Sequence, residues 1–137
     1  MTPLLILTHG DFGPVLLKAA ESMFGPQADS VALGLAPDET REDYQARVHA
    51  ARLGLSSEPL VLVDLACGTP WNVAVLDGCA DLGEVLAGVN LPMLLEAMEL
   101  RQTLAPKPLA QELTARAAQA FVRASRLIAE RGDGGCA

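Results

Sequence analysis

The sequence predicts a single-domain α/β fold: a doubly wound, mainly parallel sheet of four strands in the order 2-1-3-4, flanked by helices. Short aliphatic runs alternate with amphipathic helical segments, which is typical of parallel sheets that are buried on both faces. The chain has 137 residues, half of them apolar, which suits one domain with a sizeable core. We assign residues 1–131 to this domain and expect residues 132–137 to form a flexible C-terminal tail.

Four continuous aliphatic runs, bounded by Gly, Pro or polar residues, predict the strands. They are Leu4–Leu7, Val31–Leu35, Pro59–Leu65 and Val85–Val89. The third run gives the strongest signal, because Leu-Val-Leu-Val leads directly to Asp64. Three of the four runs end in polar or glycine-rich turns that lead into helices. Such turns converge on one edge of a doubly wound sheet.

A helix is predicted after each of the first two strands. The first opens at Asp11–Pro14, where Pro14 suits the first turn, and it stops near Gly25. Its expected buried face consists of Val15, Leu16, Ala19, Ala20 and Met23. The second starts at Pro37–Thr40, because Thr40 and Asp43 approximate the spacing of a capping box. Its apolar stripe consists of Tyr44, Val48, Ala51 and Leu55.

Three more helices are predicted in the second half of the chain. The third begins at Gly68–Pro70 and runs to about Asp81, and the fourth opens at Pro92 and reaches about Leu104. After a connector, we predict one continuous helix over Ala110–Arg131. Apolar residues recur around this segment at helical spacing: Leu109, Leu113, Ala117, Ala120, Phe121, Ala124, Leu127 and Ile128.

The composition argues against several functional classes. The net charge of −7 disfavours nucleic acid, whose phosphates need clustered Lys and Arg, and also disfavours an anionic membrane surface. No apolar stretch approaches the roughly 20 residues of a membrane-spanning helix, and the N-terminus lacks a cleavable signal pattern. We therefore expect a cytoplasmic protein. Its three cysteines are widely spaced and form no zinc framework, which predicts free thiols and no metal site.

His9 and Asp64 are the candidate chemical residues. Each follows an aliphatic run, and in the predicted order 2-1-3-4 the first and third strands are neighbours. Their carboxyl ends then form the topological switch point, where open α/β sheets place ligands and chemistry. A carboxylate beside an imidazole fixes its tautomer and orients the ring, which leaves the other ring nitrogen free to react.

Gly10, Gly68 and Thr69 are the candidate anion-binding residues. Gly10 and Gly68 would allow close approach of the backbone. Thr69 lies at a helix start, where free amides and the helix dipole favour an anion; alternatively, its hydroxyl caps the helix that Pro70 begins. No Lys or Arg accompanies this turn. Amides and hydroxyls suit a phosphoryl group that must be passed on, because they hold it less tightly than cations would.

These motifs together resemble the IIA domain of the mannose family of sugar phosphotransferase systems, through nearly the whole chain. The resemblance is carried by an ordered set of segments: Ile6–Gly10 (ILTHG), Val61–Asp64 (VLVD), Gly68–Asn72 (GTPWN) and Ala87–Leu94 (AGVNLPML). A lone Thr-His-Gly would be weak evidence. The ordered set at these separations is far more specific.

The resemblance implies a phosphocarrier that needs no cofactor. The histidine matching His9 would accept a phosphoryl group from phospho-HPr and pass it to a IIB component for sugar uptake, and the aspartate matching Asp64 would hydrogen-bond the imidazole. The turn matching Gly68-Thr69-Pro70 would line the phosphate site. Membrane association would occur only through the IIC and IID transporter subunits. Family members often form homodimers by exchanging a C-terminal strand, an exchange that the predicted C-terminal helix disfavours.

Two residues depart from the family pattern. Cys67 occupies a position that is usually glycine, and Asp11 adds a negative charge two residues after His9 unless it caps the following helix. Thr69 replaces a frequent serine but keeps the hydroxyl. These departures leave two other chemistries open: a Cys67 nucleophile activated by His9, or a metal held by His9, Asp64 and Cys67.

Other functional readings also remain open. The domain would equally suit a related carrier for dihydroxyacetone kinase, or a regulatory relative that only binds partners. His49, the second histidine, lies in the second predicted helix without phosphate-like surroundings, and we expect it at the surface. Trp71 would be either a core residue or part of a docking surface. We expect Asn90 to make local turn and cap hydrogen bonds.

Overall fold

A computed structural model describes residues 1–76 and 83–132 of the chain. Four strands form one sheet: β1 (Leu4–His9), β2 (Ser30–Leu35), β3 (Leu60–Val63) and β4 (Glu84–Ala87). Their order is β2-β1-β3-β4, and all three pairings are parallel. The predicted fold class and strand order are therefore confirmed, with boundaries shifted by one to a few residues.

Helices cover both faces of this sheet. They are α1 (Phe12–Phe24), α2 (Arg41–Leu53), α3 (Thr69–Leu76), α4 (Leu91–Leu100), α5 (Pro106–Arg116), a 3-10 helix (Ala117–Ala120) and α6 (Ala124–Arg131). The expected end of the third helix near Asp81 lies outside the described residues, as do residues 133–137 of the expected tail. Within the described residues, no helix is long and apolar enough to span a membrane.

The alternation of side chains along β1 divides the core into two layers. Leu4 and Ile6 pack with α1, α4 and α5 on one face, whereas Leu5 and Leu7 pack with α2 and α3 on the other. All four side chains are fully buried, and each such burial contributes about 1.5–3 kcal/mol. Because β1 is central and covered on both faces, its carboxyl end is a rigid support for whatever follows it.

Two predicted helix caps are confirmed. The Thr40 hydroxyl accepts a hydrogen bond from the Asp43 backbone N–H at 3.1 Å and caps α2. The Asn90 side chain accepts from the Met93 backbone N–H at 3.0 Å and caps α4, and its amide donates to the Gly88 carbonyl. These caps satisfy first-turn amides that have no partner within the helix.

The predicted buried face of α1 is partly wrong. Leu16 and Ala20 are buried as expected, together with Gly13. Ala19 is exposed, and Val15 and Met23 are 62% and 64% exposed. Apolar spacing marks a broad stripe of a helix, whereas the sheet and α4 cover only the strip on which Gly13, Leu16 and Ala20 lie. The approach there is very close, since a Cβ on Gly13 would lie 2.8 Å from the Thr8 hydroxyl oxygen.

The predicted continuous helix over Ala110–Arg131 is also wrong. Helix α5 begins earlier, at Pro106, and the 3-10 helix and an extended stretch at Phe121–Arg123 separate it from α6. Buried residues end with α5, and Phe121 is 83% exposed. Without a core to pack against, the apolar spacing of the later residues does not hold a single helix together.

Arg101 is a buried cation at the amino edge of the sheet, directly after the C-terminal end of α4. Its side chain is almost completely buried, and it donates five hydrogen bonds, among them one to the Ser30 hydroxyl at 2.9 Å and one to the Ala28 carbonyl at 2.7 Å. Burial lowers the pKa of the Arg101 guanidinium. No sequence pattern predicts the burial of this residue.

Candidate functional site

The structure brings His9 and Asp64 together at the carboxyl edge of the sheet. His9 is the last residue of β1, and Asp64 directly follows β3, its neighbour in the sheet. One carboxylate oxygen, Asp64 Oδ2, accepts hydrogen bonds from the His9 backbone N–H at 3.0 Å and from His9 Nδ1 at 2.9 Å. The same oxygen thus fixes both the main chain and the ring of His9.

This contact determines which ring nitrogen of His9 is available. A carboxylate oxygen accepts hydrogen bonds, so in the neutral imidazole the Nδ1 that faces Asp64 carries the proton and Nε2 has the lone pair. The His9 side chain is 48% exposed, whereas that of Asp64 is 16% exposed. The imidazole is therefore half-exposed, whereas the carboxylate that orients it is mostly buried.

Gly68 lies against the reactive edge of the imidazole. A Cβ placed on Gly68 would lie 2.9 Å from His9 Cε1 and 3.4 Å from His9 Nε2. The Gly68 carbonyl accepts the first hydrogen bond of α3, from the Asn72 N–H at 2.9 Å. A side chain at this position would meet the ring, so glycine allows the start of α3 to lie against the imidazole.

Thr69 is the first residue of α3 and is half-buried. Among the hydrogen bonds of the described residues, none involves its hydroxyl, so the expected capping of α3 by Thr69 is not seen. Pro70 follows in the first turn and is buried, at a position where a missing N–H costs nothing. The Thr69 hydroxyl is therefore available as a donor or acceptor at the start of α3.

The turn after His9 depends on two glycines, one of which sequence reasoning missed. Gly10 has φ +53° and donates its N–H to the Leu35 carbonyl at 2.7 Å, so it contributes the shape of the turn. Gly34 in β2 faces the Gly10 carbonyl, and a Cβ on Gly34 would lie only 1.8 Å from that oxygen. A glycine inside a predicted strand is the signal that marks such a close approach.

Asp11 does not cap α1. It occupies the N-cap position without a side-chain hydrogen bond, and it is exposed. The hydroxyl of the buried Thr8 instead accepts from the Gly13 N–H at 2.7 Å. Because Thr8 immediately precedes His9, this bond ties the N-terminus of α1 to the end of β1 and leaves the Asp11 carboxylate facing solvent.

Cys67 is exposed and has φ +67°, in the left-handed region that glycine prefers. In the part of the chain that the structure describes, its thiol makes no hydrogen bond with His9, whose Nδ1 is bonded to Asp64. The thiolate–imidazole pair of the Cys67 alternative is therefore not formed. No group of three or more His, Cys, Asp or Glu residues suited to a metal occurs among the described residues.

Tyr44 was predicted as a core residue of α2 and lies in the layer beneath the site. Its side chain is fully buried, and its hydroxyl donates to the Leu33 carbonyl at 3.0 Å. Burial raises the pKa of the Tyr44 phenol, an effect that the Arg47 cation opposes and the Asp64 carboxylate reinforces.

Trp71 is half-buried and packs against the same layer of the core. His49 is exposed on α2, as expected.

The fold and the site together define a class: a doubly wound α/β domain that holds an exposed histidine by an aspartate at its topological switch point. Residues 3–114 match the family model of the fructose IIA component of the phosphoenolpyruvate-dependent sugar phosphotransferase system (PTS). The chain belongs to this mannose/fructose IIA family of the PTS.

Individual relatives agree with this assignment. The chain is 38% identical over 125 residues to the PTS fructose-specific EIIA component of Bacillus subtilis, covering 88% of this chain and 85% of that protein. It is 37% identical over 103 residues to the PTS mannose-specific EIIAB component of Escherichia coli K12, covering 72% of this chain and 31% of that longer protein.

Solved structures also match. The EIIA component from Streptococcus agalactiae superposes with a TM-score of 0.83 at 26% identity, covering 92% of this chain and 99% of that one. The mannose/sorbose-specific IIA subunit from Enterococcus faecalis gives a TM-score of 0.80 at 28% identity, covering 90% and 95% of the two chains. The chain is therefore a PTS IIA component in sequence and in fold.

Proposed function

We propose that this IIA component carries a phosphoryl group on His9, accepting it from phospho-HPr and passing it to a IIB component for sugar uptake. The observation that supports this best is the double hydrogen bond from His9 to Asp64 Oδ2. In the neutral ring it leaves the lone pair on Nε2, the nitrogen beside Gly68. A carrier needs such a nucleophile, one that both partners can reach.

In the proposed transfer, the Nε2 lone pair attacks the phosphorus of the donor phosphohistidine in line with the bond that breaks. The new N–P bond forms on His9, and the electron pair of the old N–P bond returns to the donor imidazole. The second transfer repeats the step, with His9 as the leaving group and the IIB component as the nucleophile. Positioning and electrostatics supply most of the catalysis in such reactions.

Asp64 has a specific part in this cycle. When Nε2 bonds to phosphorus while Nδ1 keeps its proton, the imidazole gains positive charge. The carboxylate 2.9 Å from Nδ1 stabilises that charge and prevents the ring from rotating. Asp64 is thus a positioning and charge-stabilising residue that never contacts the phosphoryl group.

The phosphoryl oxygens would lie at the N-terminus of α3. The close approach of Gly68 to the ring brings the first amides of that helix near Nε2, where the helix dipole favours an anion. The Thr69 hydroxyl would add a hydrogen bond, and the Gly10 turn would leave space on the other side. We assign Gly10, Gly68 and Thr69 to the phosphate site on this basis.

Labelling with phospho-HPr tests the proposal. The wild-type protein should acquire one phosphoryl group that is labile in acid and stable in base, as expected of a phosphohistidine. His9→Ala should abolish the label, whereas the matched variant His49→Ala should keep it. A persistent label in His9→Ala would contradict the assignment.

The partners follow from this function. We infer that HPr and a IIB component bind the carboxyl edge in turn, that the protein acts in the cytoplasm, and that it meets the membrane only through IIC and IID subunits. Pull-down of a IIB component by the phosphorylated protein, but not by His9→Ala treated in the same way, tests the acceptor.

We further propose that two copies associate through the C-terminal segment. Residues 116–131 contain four arginines and one glutamate, whereas the whole chain has a net charge of −7, and Phe121, Val122 and Ile128 are exposed there. A basic, apolar segment complements the acidic body of a second copy. Light scattering should give a dimer that becomes a monomer when the chain is shortened to residue 116; an unchanged mass would refute this proposal.

A further inference from the structure

Thr8 is one of three polar or charged residues that are buried in the part of the chain that the structure describes, together with Thr2 and Arg101. It immediately precedes His9, and its hydroxyl accepts a hydrogen bond from the Gly13 N–H at 2.7 Å. The first turn of α1 therefore has its hydrogen-bond acceptor in the preceding strand. We call this contact between the Thr8 hydroxyl and the Gly13 N–H the latch.

The latch is closely packed from both sides. Gly13 is buried in the first turn of α1, and a Cβ on Gly13 would lie 2.8 Å from Thr8 Oγ1 and 3.0 Å from Thr8 Cγ2. A buried N–H that lost its acceptor would be costly. The hydroxyl of Thr8 and the missing side chain of Gly13 together set the distance between the end of β1 and the start of α1.

The end of β1 is held from both faces of the sheet. Successive side chains of a strand point to opposite faces, and Thr8 meets α1 while the His9 ring lies against Gly68 at the start of α3. The same ring is bonded to Asp64. A twist of the strand end that displaced the imidazole on one face would therefore also pull the Thr8 hydroxyl away from α1 on the other.

We propose that Thr8 is a positioning residue for phosphoryl transfer: through the latch, its hydroxyl holds the end of β1, and with it the imidazole of His9, in the reactive position. This inference rests on the proposed function. Thr8 is fully buried, so it contacts neither a partner protein nor the phosphoryl group and acts only through His9. A small displacement of a nucleophile is enough to slow a transfer reaction strongly.

The test measures phosphorylation by phospho-HPr in variants of Thr8. Thr8→Val replaces the hydroxyl with a methyl group of similar size and leaves the Gly13 N–H without its acceptor. The rate at saturation, per folded molecule, should fall about tenfold, whereas the KM for phospho-HPr should stay within about twofold because the side chain is buried. Thr8→Ser keeps the hydroxyl and should recover most of the rate. A saturating rate within twofold of the wild type in Thr8→Val would overturn the proposal.

Thr2 provides the matched control, just before the other end of β1. It is also buried, and its hydroxyl donates to the Leu104 carbonyl at 2.6 Å; it lies about 20 Å from Thr8 along the strand direction. Thr2→Val should lower the midpoint of chemical denaturation as Thr8→Val does. It should leave the saturating rate and the nuclear magnetic resonance signals of the His9 ring nitrogens unchanged, whereas Thr8→Val should change both. Equal rate losses in the two variants would overturn the proposal, because lost stability alone would then explain them.

Gly13→Ala tests the latch from the side of α1. The new Cβ would lie 2.8 Å from Thr8 Oγ1, so the helix must move away from the strand, and the saturating rate should fall as it does in Thr8→Val. A wild-type rate in Gly13→Ala would overturn the role of this contact. The failure of the proposed function would look different, because phospho-HPr would then fail to label the wild-type protein at any concentration.

Discussion

The two edges of the sheet use polar side chains in opposite ways. At the amino edge, Arg101 is almost completely buried and donates five hydrogen bonds, one to Thr2 before β1 and four to residues 27–30 at the start of β2. At the carboxyl edge, His9 is half-exposed and is held by one carboxylate oxygen. The hydrogen bonds at the amino edge connect separate segments of the chain. Those at the carboxyl edge fix the His9 ring through Nδ1 and leave Nε2 without a hydrogen bond to Asp64.

The largest effect on stability is expected at the amino edge. Arg101→Met should lower the free energy of unfolding by about 3–5 kcal/mol, because one buried and four part-buried acceptors lose their donor. The phosphorylation rate per folded molecule should stay unchanged. Chemical denaturation, together with labelling of the folded fraction, measures both.

Arg116→Met is the control for that substitution. Arg116 forms an exposed i,i+4 pair with Glu112 at 2.9 Å, and such pairs contribute only about 0.3–0.5 kcal/mol. Equal losses of stability in Arg101→Met and Arg116→Met would contradict the role of Arg101 as a clamp.

The next largest effect is expected at the carboxyl edge, on the rate of phosphorylation. Asp64→Asn keeps the shape of the side chain but removes the charge that fixes the Nδ1 proton. The phosphorylation rate should fall about 10- to 100-fold, as for other partners that orient a reactive histidine, while stability changes by much less than in Arg101→Met. A rate equal to that of the wild type would exclude Asp64 from the mechanism.

Gly68→Ala should have a smaller effect at the same edge. The new Cβ would lie 2.9 Å from His9 Cε1, so the half-exposed ring must shift, and a displaced nucleophile reacts more slowly. We expect a loss of about tenfold in rate with little loss of stability. Gly25, which follows α1, differs from Gly68 in this respect, because a Cβ on Gly25 would meet no atom within 4 Å. A loss of stability without a loss of rate would contradict this account.

The smallest effect is expected for Cys67→Gly, which should raise the free energy of unfolding instead of lowering it. Cys67 has φ +67°, which costs a residue with a side chain about 1–2 kcal/mol. Relief of that strain, reduced by the greater freedom of glycine in the unfolded chain, should stabilise the protein by up to about 1 kcal/mol. Phosphorylation should continue at the wild-type rate. A complete loss of labelling would revive the cysteine nucleophile.

The sequence predicts the carboxyl edge much better than the amino edge. His9 and Asp64 each follow an aliphatic strand, and parallel topology brings strand ends together, so their proximity follows from local patterns. Arg101 gives no such signal, because a single arginine near the end of an amphipathic helix normally lies in solvent. Its burial depends on backbone carbonyls that only the tertiary structure assembles.

The wrong helix predictions have a related cause. Val15 and Met23 have the helical spacing of core residues but are exposed. Apolar periodicity identifies one face of a helix, but it does not show how much of that face other elements cover. The residues after Arg116 likewise have the spacing of a buried helix without a core to bury it.

The position of the phosphoryl group on the His9 ring shows whether Asp64 selects the reactive nitrogen. Nuclear magnetic resonance of the ring nitrogens in the phosphorylated protein distinguishes Nε2 from Nδ1. Because Asp64 Oδ2 lies 2.9 Å from Nδ1, we expect a phosphoryl group on Nε2 with Nδ1 protonated. A phosphoryl group on Nδ1, or on any residue other than His9, would contradict it.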